Sequence, residues 1–246
     1  MKLTGLKTSI LAGVLFTGVS IPHTSVEASP TERNTKATIT FETLLPPPIV
    51  DPTNPDVVKP PGPDEGNVNT ESGELTLDFA PNLYFGSHEI GKDGMYEYPV
   101  LVNADKTANP DEETSDPFIQ ITDRQVKPGN WDVSVKVSSF ENDQTGASSL
   151  AGAYLTFLNG QLKKPTVNTT AVAPVLNNSI TALSDETDVN VLSAADGQGE
   201  LTWVAHWIPD TTPSSPSIKL AVPAGTMKKG THTASLTWTL ASSITP

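Results

Sequence analysis

The sequence predicts an all-β protein: an antiparallel β-sandwich or barrel-like domain with long loops and a Pro-rich extended segment. Three observations lead there. Apolar residues recur with period two along most of the chain, helical periodicity is nearly absent beyond the first 30 residues, and clusters of Gly, Pro, Asn, Asp and Ser separate the alternating runs. There is no cysteine among the 246 residues, so burial of apolar surface rather than a disulfide framework must hold the fold.

The elements follow in chain order. Lys2 and Lys7 form a basic start, Ser9 to Ile21 a short apolar run, and Val26-Glu27-Ala28 a small-x-small cleavage site before Ser29. Residues 1–28 therefore read as a secretory signal peptide, since the run is too short and too rich in Gly, Ser and Thr to span a bilayer. Residues 29–246 remain as one β domain. In it, Ala37 to Thr43 (ATITFET) alternates Ile39 and Phe41 with Thr and Glu, a half-buried strand pattern. The stretch 44–66 is Pro-rich, with eight prolines between Pro46 and Gly66, and favours an extended backbone within or before the domain.

Beyond Gly66, GELTLDF sets Leu75, Leu77 and Phe79 on one face. Ala104 to Pro117 is acidic and turn-rich, a long surface loop. NWDVSVKVSSF opposes Trp131, Val133, Val135 and Val137 to Asp132, Ser134, Lys136 and Ser138. YLTFLNGQL carries Asn159-Gly160 between apolar flanks, a hairpin signal. PSIKLAVP alternates Ile218, Leu220 and Val222 with Lys219 and Ala221, and LTWTL sets Leu236, Trp238 and Leu240 against Thr237 and Thr239. No hydrophobic segment suited to a transmembrane helix or a sortase-type tail follows the signal, so no membrane association is expected once it is removed.

Charge restricts the partners. Without Lys2, Lys7 and Glu27 the chain holds 13 basic and 27 acidic residues. Residues 29–116 carry 5 and 17 of them, residues 117–246 carry 8 and 10. Such a chain does not bind nucleic acid, which requires a basic face, and simple ionic capture by polyanionic teichoic acids is disfavoured for the same reason.

Catalytic signals are weak. His88, His206 and His232 have no ligand-like spacing, and neither HExxH nor GxSxG occurs. His206 reads as a structural or surface histidine, and Asp111, Glu112, Glu113 and Asp116 as a solvated loop rather than a calcium site. No enzymatic activity, cofactor, catalytic residue or metal ligand is assigned. Trp131 and Trp238 share their faces with Val and Leu and read as core residues. Trp203 and Trp207 lie four apart in LTWVAHW and serve either as core or as exposed platforms for sugar rings.

The ordered set of signal peptide, short strand, proline segment, GELTLDFAPNLYFG and two Trp motifs resembles the WxL-domain surface proteins of Gram-positive bacteria. The distal motif is Trp238-Thr239-Leu240. The proximal one is Trp131-Asp132-Val133, with Val where the motif has Leu, and His232 stands where an aromatic often precedes the distal motif. The resemblance implies a non-enzymatic, secreted, extracellular protein of the cell surface. It would attach non-covalently to peptidoglycan, with the motif residues acting structurally. It also implies other WxL-domain or sortase-anchored surface proteins as partners, and a role as subunit of a multiprotein surface complex or adhesin is the alternative reading.

Overall fold

The computed structural model describes residues 32–33, 35–40, 44–108, 110–208 and 217–242. Residues 1–28, read above as a signal peptide, lie outside them. The chain divides into two units, Met1–Phe41 and Glu42–Pro246.

In the first unit Lys36 to Thr40 are exposed and outside any strand, with Ile39 76% exposed. This corrects the strand expected over Ala37 to Thr43, whose last three residues, with Phe41 first, lie outside the described ones. Among the described residues of this stretch Ile39 is the one large apolar side chain, too little surface to offset the ordering of a strand.

The second unit holds the strands β1 (Gly66–Val68), β2 (Leu75–Pro81), β3 (Met95–Pro99), β4 (Phe118–Asp123), β5 (Trp131–Val137), β6 (Phe140–Asn142), β7 (Ser148–Ser149) and β8 (Tyr154–Leu158). It continues with β9 (Gln161–Lys163), β10 (Val175–Leu176), β11 (Ser179–Leu183), β12 (Val189–Ala194), β13 (Leu201–His206), β14 (Ile218–Pro223), β15 (His232–Thr233) and β16 (Leu236–Ser242). Every pairing between these strands is antiparallel. The sheet orders are β1-β2-β4-β13-β9, β10-β12-β5-β16, β11-β8-β14-β3 and the small β15-β6-β7, and none closes into a barrel.

The three larger sheets turn their apolar faces onto one core. It takes Ile119, Ile121 and Ala205 from the first sheet, Trp131, Val133, Val135, Val137 and Leu192 from the second, and Leu155, Phe157, Ile180, Ile218, Leu220 and Val222 from the third. The alternation in β5 is realised in full: the predicted inward residues are buried, whereas Asp132 is exposed and Ser134 and Lys136 are half-buried. In β14 Ile218, Leu220 and Val222 are buried and Lys219 is half-buried, but Ala221, expected opposite them, is buried as well, so this strand is covered on both faces at that point.

Two local expectations are corrected. Asn159-Gly160 is not a hairpin, because β8 pairs with β11 and β14 whereas β9 pairs with β13 in another sheet. Asn159 takes the left-handed conformation (φ 54°), and Gly160 lies where a β-carbon would stand 2.7 Å from Trp207 Nε1 and 2.9 Å from Leu176 Cδ2. Close approach at a corner between sheets explains the glycine.

Phe79, expected beside Leu75 and Leu77, faces the other way. The register slips between Leu77, opposite Ile121, and Phe79, opposite Gln120, so one extra residue reverses the alternation. Phe79 then stacks on Phe118, with ring centroids 4.3 Å apart, in a second cluster with Ile49, Val50 and Val204. The proline segment thus lies on the outer face of the first sheet as a strap, with Pro47, Ile49, Val50, Pro52 and Pro55 buried.

Candidate functional site

The two tryptophan motifs, far apart in sequence, occupy neighbouring strands. Across β5 and β16, Val133 stands opposite Leu240, Asp132 opposite Ala241, Trp131 opposite Ser242 and Trp238 opposite Val135. The third positions of the two motifs therefore form a cross-strand apolar pair, the unit by which sheets are stabilised.

Trp131 is 1% exposed. Its Nε1 donates to Asp123 Oδ2 at 3.0 Å, and the Gly129 amide donates to the same oxygen at 2.8 Å. The other carboxyl oxygen accepts the Gln125 amide at 3.0 Å. A buried carboxylate, costly alone, is here satisfied by the turn that leads into β5. That turn needs its glycine: Gly129 has φ 97°, and a β-carbon there would run into the Ala195 carbonyl. Asn130 follows with φ 56°, and Gly199 lies flat against the indole. Trp131 is thus a core residue with a dedicated acceptor.

Trp238 faces the same core but is only half-buried, as are Leu236 and Leu240. The cause is position: β16 ends its sheet, so one flank of each side chain lacks a neighbour. The indole meets Phe157 edge-on (6.1 Å, 90°) and lies 6.4 Å from Trp207, itself fully buried against Phe157. Among the described residues neither Trp207 Nε1 nor Trp238 Nε1 has an acceptor. Trp203 is 4% exposed, gives its N–H to the Glu200 carbonyl at 3.0 Å and carries Lys164 Nζ at 5.3 Å over its ring. Of the two roles open to Trp203 and Trp207, both take the buried one.

The middle motif residues, Asp132 and Thr239, point outward and are exposed. They share a flat polar face with Ser134, Thr237, Asn190 and Ser193; Asn190 Nδ2 reaches Asp132 Oδ1 at 3.3 Å and Ser193 Oγ at 3.1 Å. Lys163 and Lys164 are tied into the domain: Lys163 Nζ donates to the Thr53 carbonyl at 3.0 Å, Lys164 Nζ to those of Asn168 (2.5 Å) and Ala171 (2.9 Å).

His206, read as structural or on the surface, is fully buried in β13. His232 ties the small sheet together, with Nδ1 2.7 Å from Ser149 Oγ of β7 and Nε2 2.9 Å from the carbonyl of Lys228 in the turn before β15. In the acidic loop, Asp116 meets Lys59 Nζ at 3.2 Å and Glu112 Oε1 accepts the Ser87 amide at 3.1 Å. Among the described residues no group of three His, Asp or Glu side chains is placed to hold a metal ion.

One polar cluster was invisible in the sequence. Beneath the strap, Asp78 accepts from Thr76 (2.5 Å), Thr122 (2.6 Å) and Gln120 (2.9 Å). Gln120 Oε1 takes the Val50 amide at 2.9 Å while its Nε2 also donates to the Pro48 carbonyl at 3.0 Å. The glutamine amide pairs with the strap as a strand backbone would. Burial raises the Asp78 pKa above the ordinary carboxylate value, although the three donated hydrogen bonds counter it. By alternation these residues belong to a solvent face; the Ile49-Val50 pair amid the prolines was the one hint that something covers it.

A family model described as "WxL domain surface cell wall-binding" matches residues 28–243. Neither a curated protein nor a solved structure matches the chain.

Proposed function

Because the chain belongs to the WxL domain surface cell wall-binding family, we propose that this secreted protein is held on the Gram-positive wall by non-covalent binding of its β domain to peptidoglycan. The family match supports this most directly, since it spans the entire strand-bearing unit rather than an appended module. In this reading the Trp motifs work by building the domain. Trp131 and Val133 are core, and Trp238 and Leu240 lie on the core face of the adjacent strand. The family is one of binding domains, and the protein acts by binding rather than by catalysis.

Attachment then rests on hydrogen bonds and apolar contact, not on ionic capture, because the chain is net acidic and Lys163 and Lys164 are engaged internally. Sedimentation with purified, teichoic-acid-free peptidoglycan tests this. Binding should persist or strengthen as salt screens the repulsion between an acidic protein and an anionic wall. Release by modest salt at neutral pH would refute it and point to Lys228 and Lys229.

A second reading, assembly with other surface proteins, draws on β16, which among the described residues pairs only with β5 and so offers an open edge. Retention by sibling surface proteins but not by bare peptidoglycan would favour it.

A further inference from the structure

With all four tryptophans turned wholly or partly into the core, the exposed aromatic surface lies elsewhere, on β3. This strand ends the sheet β11-β8-β14-β3. Tyr96 and Tyr98, two residues apart, share one face opposite Val222 and Leu220, so they extend the core face past the sheet's edge. Their rings are 13° from parallel with centroids 6.3 Å apart, and His88 stacks on Tyr98 at 4.1 Å and 20°. Three nearly parallel rings thus form one array. Tyr96 is 37% exposed, and Ile90 and Met95, close to it in sequence, are 55% and 50% exposed.

The array is held rather than loose. Met227 Sδ accepts the Tyr98 hydroxyl at 3.7 Å and the Gly91 amide at 3.2 Å. Gly91 packs so closely on the Tyr96 ring that a β-carbon there would overlap it. Rings fixed in this way lose little rotamer entropy when a flat ligand settles on them.

We propose that the Tyr96–Tyr98–His88 array is the site at which this domain stacks on the glycan strand of the wall, a polymer of N-acetylated amino sugars. The proposal rests on the wall-binding reading and names its site and ligand class. Aromatic rings with a polar edge suit a sugar, which has an apolar C–H face and hydroxyls around it. The charge of the segment argues against a polyanion: between His88 and Tyr98 the chain carries Glu89, Asp93 and Glu97 against Lys92 alone, and Glu97 is paired with Lys219 at 2.8 Å. It argues equally against a protein strand added to the edge, because β3 is five residues long, carries the charged Glu97 and ends in Pro99.

The test uses the mature protein with two probes, intact teichoic-acid-free peptidoglycan and peptide-free glycan strands prepared from it by amidase. Wild type should bind both. Tyr96→Ala should weaken both by about tenfold, the order expected for one lost aromatic contact. Tyr96→Phe should retain most binding, and His88→Ala should lose several-fold. Tyr96 is a partly exposed edge residue, so its alanine variant should keep the wild-type melting curve, and His88→Ala gives an independent reading if it does not.

Wild-type binding that neither variant reduces would overturn the proposal while leaving wall attachment intact. So would binding to intact peptidoglycan but not to peptide-free strands, which would identify the stem peptide as the ligand. Unchanged wall binding with loss of a protein partner would make the array a protein-docking surface instead. Failure of wild type to bind either probe would refute the wall reading itself, and this proposal with it.

Discussion

The two motif tryptophans should not be equivalent, although they look so in sequence. Truncating a buried Trp to Ala costs about 3–5 kcal/mol. Trp131→Ala adds a second penalty, because Asp123 loses the indole donor and keeps only the Gly129 and Gln125 amides, worth roughly 1 kcal/mol more. Trp238 is half-buried at an edge, has no hydrogen-bond partner among the described residues and mainly loses its contacts with Phe157 and Trp207, so about 2–3 kcal/mol is expected. Against a total of roughly 5–15 kcal/mol, Trp131→Ala removes most of the stability of a typical domain and Trp238→Ala a part. Urea unfolding followed by circular dichroism measures the difference. A gap of about 2 kcal/mol moves the midpoint by roughly 1 M for an m-value near 2 kcal/mol/M. Trp131→Phe, which keeps most of the apolar volume but not the donor, should fall between wild type and Trp131→Ala. Equal midpoints for the two alanine variants would refute the edge-strand argument. A Trp238→Ala protein of unchanged stability that no longer binds peptidoglycan would refute the structural role altogether.

Other outcomes follow from the same geometry. Gly129→Ala places a β-carbon against the Ala195 carbonyl at a φ of 97°, so little soluble folded protein should form; a melting temperature within a degree of wild type would contradict this. Ile49→Ala should cost about 2–3 kcal/mol by opening the cluster beneath the strap, whereas a chain beginning at Leu44 should melt like the longer one. Asp78 has its pKa raised in the fold, so the native state holds its proton at pH values where the unfolded chain has released it. This carboxyl therefore favours the fold below its ordinary value of 3.8, and that contribution is lost as pH rises through the native value. The difference in urea midpoint between wild type and Asp78→Asn should shift in the wild type's favour as pH falls through that window; a pH-independent difference would show that Asp78 does not titrate with folding.

Period-two alternation in β5, β14 and β16 was enough to say which side chains share a face, because successive residues of a strand point to opposite sides whatever the strand pairs with. The motif residues Trp131, Val133, Trp238 and Leu240 were legible as inward-facing on that ground alone. What covers a face, and how completely, is not a local property. Trp131 is sealed because Asp123 and Gly199 converge on it from other segments, while Trp238 stays half open because, among the described residues, no strand follows β16 in its sheet. One extra residue at Asp78 reversed the side taken by Phe79, and a proline strap turned the Thr76–Asp78–Gln120–Thr122 face from an apparent solvent face into an interior. The aromatic array on β3 was hidden for the same reason: Tyr96 and Tyr98 can be read as neighbours from their spacing, but His88 reaches them only through the tertiary fold. Strand partners are chosen by contacts distant in sequence, and a pattern of period two carries no information about distance.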